Sequence, residues 1–316
     1  MNKRLPDKDS NEGQIIIQKY LAGERATLAD GCGYPNVASF TRAMRQVYGV
    51  KVGANNTGWE PGEINIPLTL NTTNEIRTAA ILNDTHNPYH DAVCLSLVER
   101  FLQDQEIHYM FYNGDMNDFY GLSKFNKNPL RINNLQKDID STKYMLDRHN
   151  ELFPNAKKIY GKGNHEDRLT VFLWNNAAVL SSLKCLDFAE LMGLKDLGVQ
   201  LLEYEQGLMV NNDFLVIHGN LVSVHSSYTA KRLHEKHGGN GICGHTHRGG
   251  VFYKRDRFGT YGWWENFCLC HLNPDWIKHP NWQQGFSLVH FKGKRFHVEP
   301  IPIIDHTIMY GGKIYR

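Results

Sequence analysis

Along the first fifty residues apolar positions recur at helical spacing. Ile15, Ile16, Tyr20 and Leu21 follow at short intervals from Asn11, a pattern that predicts a helix. A second short helix is expected over 27–32, closed by Gly33, and Asn36 can cap a third over 37–48. The third segment places Val37, Phe40, Met44 and Val47 on one face and Arg42, Arg45 and Gln46 largely on the other, as a half-buried helix requires. Positions 53–74, rich in Gly, Asn, Thr and Pro, have no period and read as a linker or surface-crossing loop.

From Ile76 the pattern alternates between short apolar runs and amphipathic stretches. Strands are expected over 77–82, 107–112, 157–160, 214–217 and 241–243, and helices over 89–105, 133–152, 167–183 and 228–236. The first of these helices carries Val93, Leu97, Phe101 and Leu102 on its core face. The final third changes to strands alone, over 250–253, 261–269, 285–291 and 295–301. Alternation followed by strands argues for an α/β fold with a second, partly antiparallel sheet packed on the first. The expected organisation is a helical unit over 1–52, a linker over 53–75 and a larger unit over 76–316.

Composition excludes more than it selects. The 316 residues are 41% hydrophobic and 22% charged, and no apolar run approaches the roughly 20 residues of a membrane helix. The start has no apolar core behind its basic residues, so the expected setting is a reducing cytoplasm, without membrane partners. Six scattered cysteines fit that setting. Cys268, Cys270 and His271 form a cluster without a second ligand pair, poor zinc spacing, and the two cysteines read as core residues on a strand. A net charge of +2 is too small to imply a polyanion partner by bulk electrostatics, and 16 histidines are the one skewed count.

Many of those histidines fall in or near a series of turns, each directly after an apolar strand. The turns are Asp84-Thr85-His86, Gly114-Asp115, Gly163-Asn164-His165-Glu166, His218-Gly219 and Gly244-His245-Thr246-His247. Carboxyl-end turns are where separate strands of an α/β sheet converge on one site. Asp115 offers two oxygens, enough to bridge two cations about 3.5 to 4 Å apart, and Asn164 offers an oxygen that adds no charge. Asp84, Asp115, Asn164, His86, His218, His245 and His247 make a mixed nitrogen and oxygen set. It suits Mn, Fe, Zn or Ni and not a calcium or magnesium cage.

In their order, these five blocks resemble the calcineurin-like metallophosphoesterase superfamily over residues 76 to about 300. The resemblance implies a four-layer αββα sandwich of two mixed β-sheets flanked by helices, with two divalent metal ions, Mn favoured. One would be held by Asp84, His86, Asp115 and His247, the other by Asp115, Asn164, His218 and His245. His165 would be the acid at the leaving oxygen, with Glu166 orienting it. The implied reaction is attack on a phosphoester by hydroxide that the two cations generate.

Substrate class needs other residues. Protein serine/threonine phosphatases follow the second block with Asp-Arg-Gly, whereas this chain has Asp118-Phe119-Tyr120, removing an arginine suited to a phosphomonoester. Asp118 itself reads equally as a supporting carboxylate or a capping surface residue. The loop 119–132 interleaves Lys124, Phe125, Lys127 and Arg131, a composition that suits a polynucleotide backbone and also a solvated loop. Arg168 and His225 are further substrate candidates. In 1–52, the Ala29 and Gly33 spacing ahead of a basic helix resembles a DNA-binding helix-turn-helix, with Arg42 and Arg45 as candidate phosphate contacts. Eight basic against five acidic side chains support this only weakly, and a docking bundle is the alternative. Trp263, Trp264, Trp276 and Trp282 read as packing residues. The favoured expectation is a nuclease or phosphodiesterase acting on DNA in a host cytoplasm, as in phage and prophage members of the superfamily. A phosphomonoesterase acting on nucleotides or small phosphoesters, or a non-catalytic binding module, are the alternatives.

Overall fold

The computed structural model describes residues 5–21, 24–48, 67–128, 131, 134–275 and 277–316. The chain divides into two compact units, Met1–Glu63 and Ile64–Arg316.

Among its described residues the first unit holds three helices, α1 (Asn11–Leu21), α2 (Arg25–Gly31) and α3 (Val37–Tyr48). Its core is Ile16, Tyr20, Ala29, Phe40, Met44 and Tyr48, with the Tyr20 and Phe40 rings edge-to-face at 5.6 Å. The buried stripe of α3 is therefore Phe40, Met44 and Tyr48, spaced four apart. Val37 and Val47, expected on that face, are exposed, because a four-residue stride puts them to either side of it. Arg42 and Arg45 are exposed on the same helix.

The second unit has two six-stranded sheets. Strands β1 (Leu68–Leu70), β2 (Arg77–Leu82), β3 (Tyr109–Asn113), β4 (Lys157–Gly161), β5 (Val199–Leu202), β6 (Leu208–Val210), β7 (Phe214–Ile217) and β8 (Asn240–Cys243) are followed by four longer or equal ones. These are β9 (Gly249–Asp256), β10 (Gly259–Asn266), β11 (Gln284–Lys292) and β12 (Arg295–Ile303), and a hairpin of β13 (Ile308–Tyr310) and β14 (Lys313–Tyr315) ends the chain. One sheet runs β12-β11-β2-β3-β4-β5, the other β1-β6-β7-β8-β10-β9. The helices of this unit are α4 (Ala92–Gln103), α5 (Leu135–Leu152), α6 (Asn164–Asn176), α7 (Phe188–Met192) and α8 (Tyr228–His237).

Strand alternation sets the layers. Ala79, Ile81, Phe111 and Ile159 face inward against Val210, Phe214, Val216, Ile242 and Trp264 of the other sheet. Ala80, Leu82, Met110, Tyr112 and Tyr160 face outward against Val98 and Phe101 of α4, Met145 and Leu146 of α5 and Phe188 of α7. On the far side, Leu215, Ile217, Cys243 and Trp263 pack on Ala230 and Leu233 of α8. The order is helix, sheet, sheet, helix, an αββα sandwich. No helix among the described residues is long and apolar enough to cross a membrane.

Several boundaries differ from the sequence expectations. Residues 53–66 of the expected linker, and Trp276, lie outside the described residues. Leu68–Leu70, also assigned to that linker, pairs in parallel with β6, a three-residue strand too short to show a period and joined to a partner far along the chain. The expected helix over 89–105 begins at Ala92, where the Asp91 side chain accepts from Cys94 N at 3.0 Å. Helix α6 stops at Asn176 rather than 183. Strand β10 ends at Asn266, and Phe267 has φ +59°. Cys268 and Cys270, though buried, thus lie past the strand to which they were assigned.

Candidate metal centre

The parallel strands β2, β3 and β4 of one sheet and β7 and β8 of the other direct their carboxyl ends to one place. There the backbone leaves extended geometry abruptly: Asp84, His86, Asp115, His245 and His247 all have φ between 50° and 69°. Side chains without glycine's freedom adopt that region only when surroundings hold them there. The holding bonds run between turns. Asp84 N donates to Gly114 O at 3.1 Å, His86 N to Asp115 O at 2.9 Å, His165 N to Asp115 Oδ1 at 2.8 Å and His245 N to Asp84 Oδ2 at 2.9 Å. Gly114, at φ +84°, lies so close to His218 that any Cβ would strike its ring.

All seven expected ligands come together. His86 Nε2 and His247 Nε2 are 3.0 Å apart, and Asp84 Oδ1 is 3.2 Å from His247 Nε2 and 3.8 Å from His86 Nε2. His86 Nε2 stands 3.9 Å from Asp115 Oδ2. On the other side of Asp115, its Oδ2 is 3.2 Å from His218 Nε2, which is 3.2 Å from Asn164 Oδ1. Asp115, His218 and His245 offer ligand atoms within 4.8 Å of one another, as do His86, Asp115 and His165. His218 Nδ1 donates to Asn113 O at 2.8 Å, which turns Nε2 toward the site.

The donor set passes a test of fit for cations. His247 Nδ1 is buried without a hydrogen bond, and the buried Asp84 Oδ1 faces only imidazole nitrogens, His247 Nε2 at 3.2 Å and His86 Nε2 at 3.8 Å, a carboxylate and ring nitrogens gathered with no other partner to balance them. Electrostatics point the same way. Burial pushes the Asp115 carboxyl up, but His165 and His218 outweigh it and hold it well below its usual range. Burial pushes His218 down, and the Asp115 charge and hydrogen bond more than reverse this, to about 9. Burial, then the neighbouring His218, lowers His245 to about 4.

His165 lies beside this cluster, its Nδ1 2.9 Å from Asp118 Oδ1 and its Nε2 2.9 Å from Arg168 Nη2. Arg168 Nη1 also donates to Asp118 O at 2.8 Å, so the arginine holds both the histidine and the Asp118 backbone. Asp118 Oδ1 also meets His86 Nδ1 at 2.9 Å. Burial raises the Asp118 carboxyl, and the His165 and His86 hydrogen bonds overcome this and lower it.

The carboxylate expected to orient His165 is therefore misassigned. Glu166 accepts from Asp115 N at 3.0 Å, Asn117 N at 2.8 Å, Gly163 N at 2.8 Å and the Tyr160 hydroxyl at 2.7 Å. As the third residue of α6 its side chain folds back on the helix start, and it ties the β3 and β4 turns together. Asp118 occupies the orienting position.

The substrate candidates separate. Lys124 and Lys127 are exposed on their loop, with Lys124 Nζ 5.8 Å from the Phe125 ring. Arg131 is instead stacked between Tyr89 and Tyr120, 4.6 Å from each ring, and paired with Asp275, so it fastens the loop. Residues 129–130 and 132–133 of that loop lie outside the described residues. His225 is exposed, its ring 5.6 Å from that of Tyr228.

Two contributors were missed. Trp282, half-buried, sets its ring edge-to-face on His247 at 4.1 Å, unlike the core residues Trp263 and Trp264. Cys270 shares a candidate cation group with His86 and His247. Neither has a spacing signal, since each reaches the site through a segment past the last of the five turns.

No family model matches the chain. Gene 54 protein of Mycobacterium phage L5 is 23% identical over 253 residues, spanning 75% of this chain and 97% of that protein. Among solved structures, a single mutant of Vps29 from Entamoeba histolytica aligns with a TM-score of 0.39 and 12% identity, over 73% of this chain and 96% of that one. Vacuolar Protein Sorting 29 from Cryptosporidium parvum gives 0.37 and 11%, over 76% and 94%.

Proposed function

We propose that the chain is a metal-dependent phosphoesterase with two divalent ions, Mn among them, and that it cleaves phosphodiesters, DNA foremost. The carrying observation is the convergence of seven nitrogen and oxygen donors, drawn from five strand-end turns, on either side of the buried Asp115 carboxylate. Asp84, His86, Asp115 and His247 would hold one ion, and Asp115, Asn164, His218 and His245 the other. When bound, such ions supply a nucleophilic hydroxide and neutralise phosphoryl charge.

The rest falls to the chain. Asp118 accepts from Nδ1 of His165 and so leaves Nε2 as the nitrogen that exchanges a proton with the leaving oxygen. Arg168, 2.9 Å from that nitrogen, can turn its guanidinium to a phosphate oxygen. Preference for a polynucleotide draws support from the exposed Lys124, Phe125 and Lys127 on the loop that follows Asp118, and from Arg42 and Arg45 on α3, read as a helix-turn-helix. Likeness to a phage protein favours a host-cytoplasm setting.

The test loads purified protein with Mn and compares a chromogenic diester, a monoester, and single- and double-stranded DNA. Cleavage of the diester and DNA is expected. Monoester turnover without diester or DNA cleavage would sink the nuclease reading.

A further inference from the structure

We infer that Cys270 Sγ is a further ligand of the ion assigned to Asp84, His86, Asp115 and His247, making that half of the centre a thiolate site selective for zinc-like ions over manganese. The inference rests on reading these turns as a metal centre and goes beyond it by adding a sulfur to a set expected to contain none.

Cys270 is 4% exposed, and its backbone is fixed to the turn that carries Asp84. Leu269 N donates to Asp84 O at 3.1 Å and Leu269 O accepts from Asp91 N at 3.0 Å. Gln284 Nε2 donates to Cys270 O at 3.0 Å. These bonds place Sγ and the imidazole nitrogens of His86 and His247 within 4.8 Å of one another. A buried free cysteine is ordinarily a small apolar side chain. Here the wall it faces is not apolar: it carries the ring nitrogens of His86 and His247, and behind the latter stands the Asp84 carboxylate, its Oδ1 3.2 Å from His247 Nε2.

The spacing of the neighbouring donors suits a small cation. Zinc bonds of about 2.3 Å to sulfur and 2.0 to 2.1 Å to nitrogen put tetrahedral ligand atoms roughly 3.3 to 3.7 Å apart. The separations among Asp84 Oδ1, His86 Nε2 and His247 Nε2 are 3.0, 3.2 and 3.8 Å. Thiolate shifts preference toward Zn, Co or Fe, whereas the Asp115, Asn164, His218 and His245 half keeps donors that admit Mn. The two halves would thus take unlike ions.

Anaerobic titration of the full-length apoprotein with Co(II), read by absorption, tests this. The first equivalent should bring both visible ligand-field bands and a near-ultraviolet sulfur-to-cobalt band. Cys270→Ser should lose the sulfur band while retaining ligand-field bands, and Cys268→Ser, whose own thiol donates to Gln283 O at 3.4 Å, should keep both. Zinc-edge X-ray absorption of the wild type needs no variant and should show one sulfur neighbour. A nitrogen and oxygen shell alone, or a sulfur band that survives in Cys270→Ser, overturns the inference and leaves the metal centre standing. Failure of the wild type to bind cobalt at all removes the metal-centre reading, and the inference with it.

Discussion

In the proposed centre the proton on His218 would govern when a cation can enter. Its folded value of about 9 lies above the ordinary 6.5, so the ring stays protonated at neutral pH beside Asp115. A raised histidine stabilises the apoprotein fully below 6.5, and that contribution is lost as pH rises through about 9. Metal binding has the opposite dependence, because Nε2 must shed its proton to donate. Apoprotein stability in urea should fall between pH 6.5 and 9, while Mn affinity rises over the same window and uptake at pH 7 releases protons into weak buffer. Metal uptake without proton release would contradict the assignment. His165 is a different case: in the proposed reaction it would carry chemistry rather than hold an ion. His165→Ala should reduce turnover by about 10²- to 10⁴-fold with metal content unchanged, whereas Asp115→Asn should lose metal, measured by elemental analysis. The convergence of the seven candidate ligands was legible because each sits in a short motif after an apolar run. The partners of His165 were not, since Asp118, 47 positions away, meets it only once β3 and β4 pair.

At the scale of elements, two turns depend on one buried side chain. Glu166 binds three backbone N–H groups and a tyrosine hydroxyl at 1% exposure. Removing it leaves four donors without an acceptor, each costing about 1 to 3 kcal/mol when buried. Glu166→Ala should destabilise by on the order of 4 kcal/mol or more, lowering Tm by about 10 °C in a unit of this size, and a calorimetric shift of a degree or two would refute this role. Gly163 makes a finer probe, because a Cβ there would collide with the Asp115 carboxylate. Gly163→Ala should lower metal content more than it lowers Tm, and normal metal content would show that the turn can yield. Element ends were the least legible part of the chain. The start of α4 is set by the Asp91 cap, and β1 exists only because β6 accepts it, 140 positions later.

Across the whole molecule, alternation of inward and outward apolar residues made the two-sheet sandwich readable, while sheet order was not, because β11 joins β2 across some two hundred residues. The first unit poses the remaining question, since nothing in its core of Tyr20, Phe40 and Met44 distinguishes a DNA-reading bundle from a docking one. Surface charge does. If α3 lies against a duplex, Arg42 and Arg45 each neutralise a phosphate and displace a counterion, so the slope of log affinity against log salt carries a contribution of about 0.9 from each. Replacing both with alanine in the full chain, where their exposure makes folding indifferent to the change, should flatten that slope by roughly 2. Turnover of a small diester should not change, because such a substrate has no flanking phosphates for α3 to hold. An unaltered salt slope would take α3 off the DNA and leave the first unit a docking bundle.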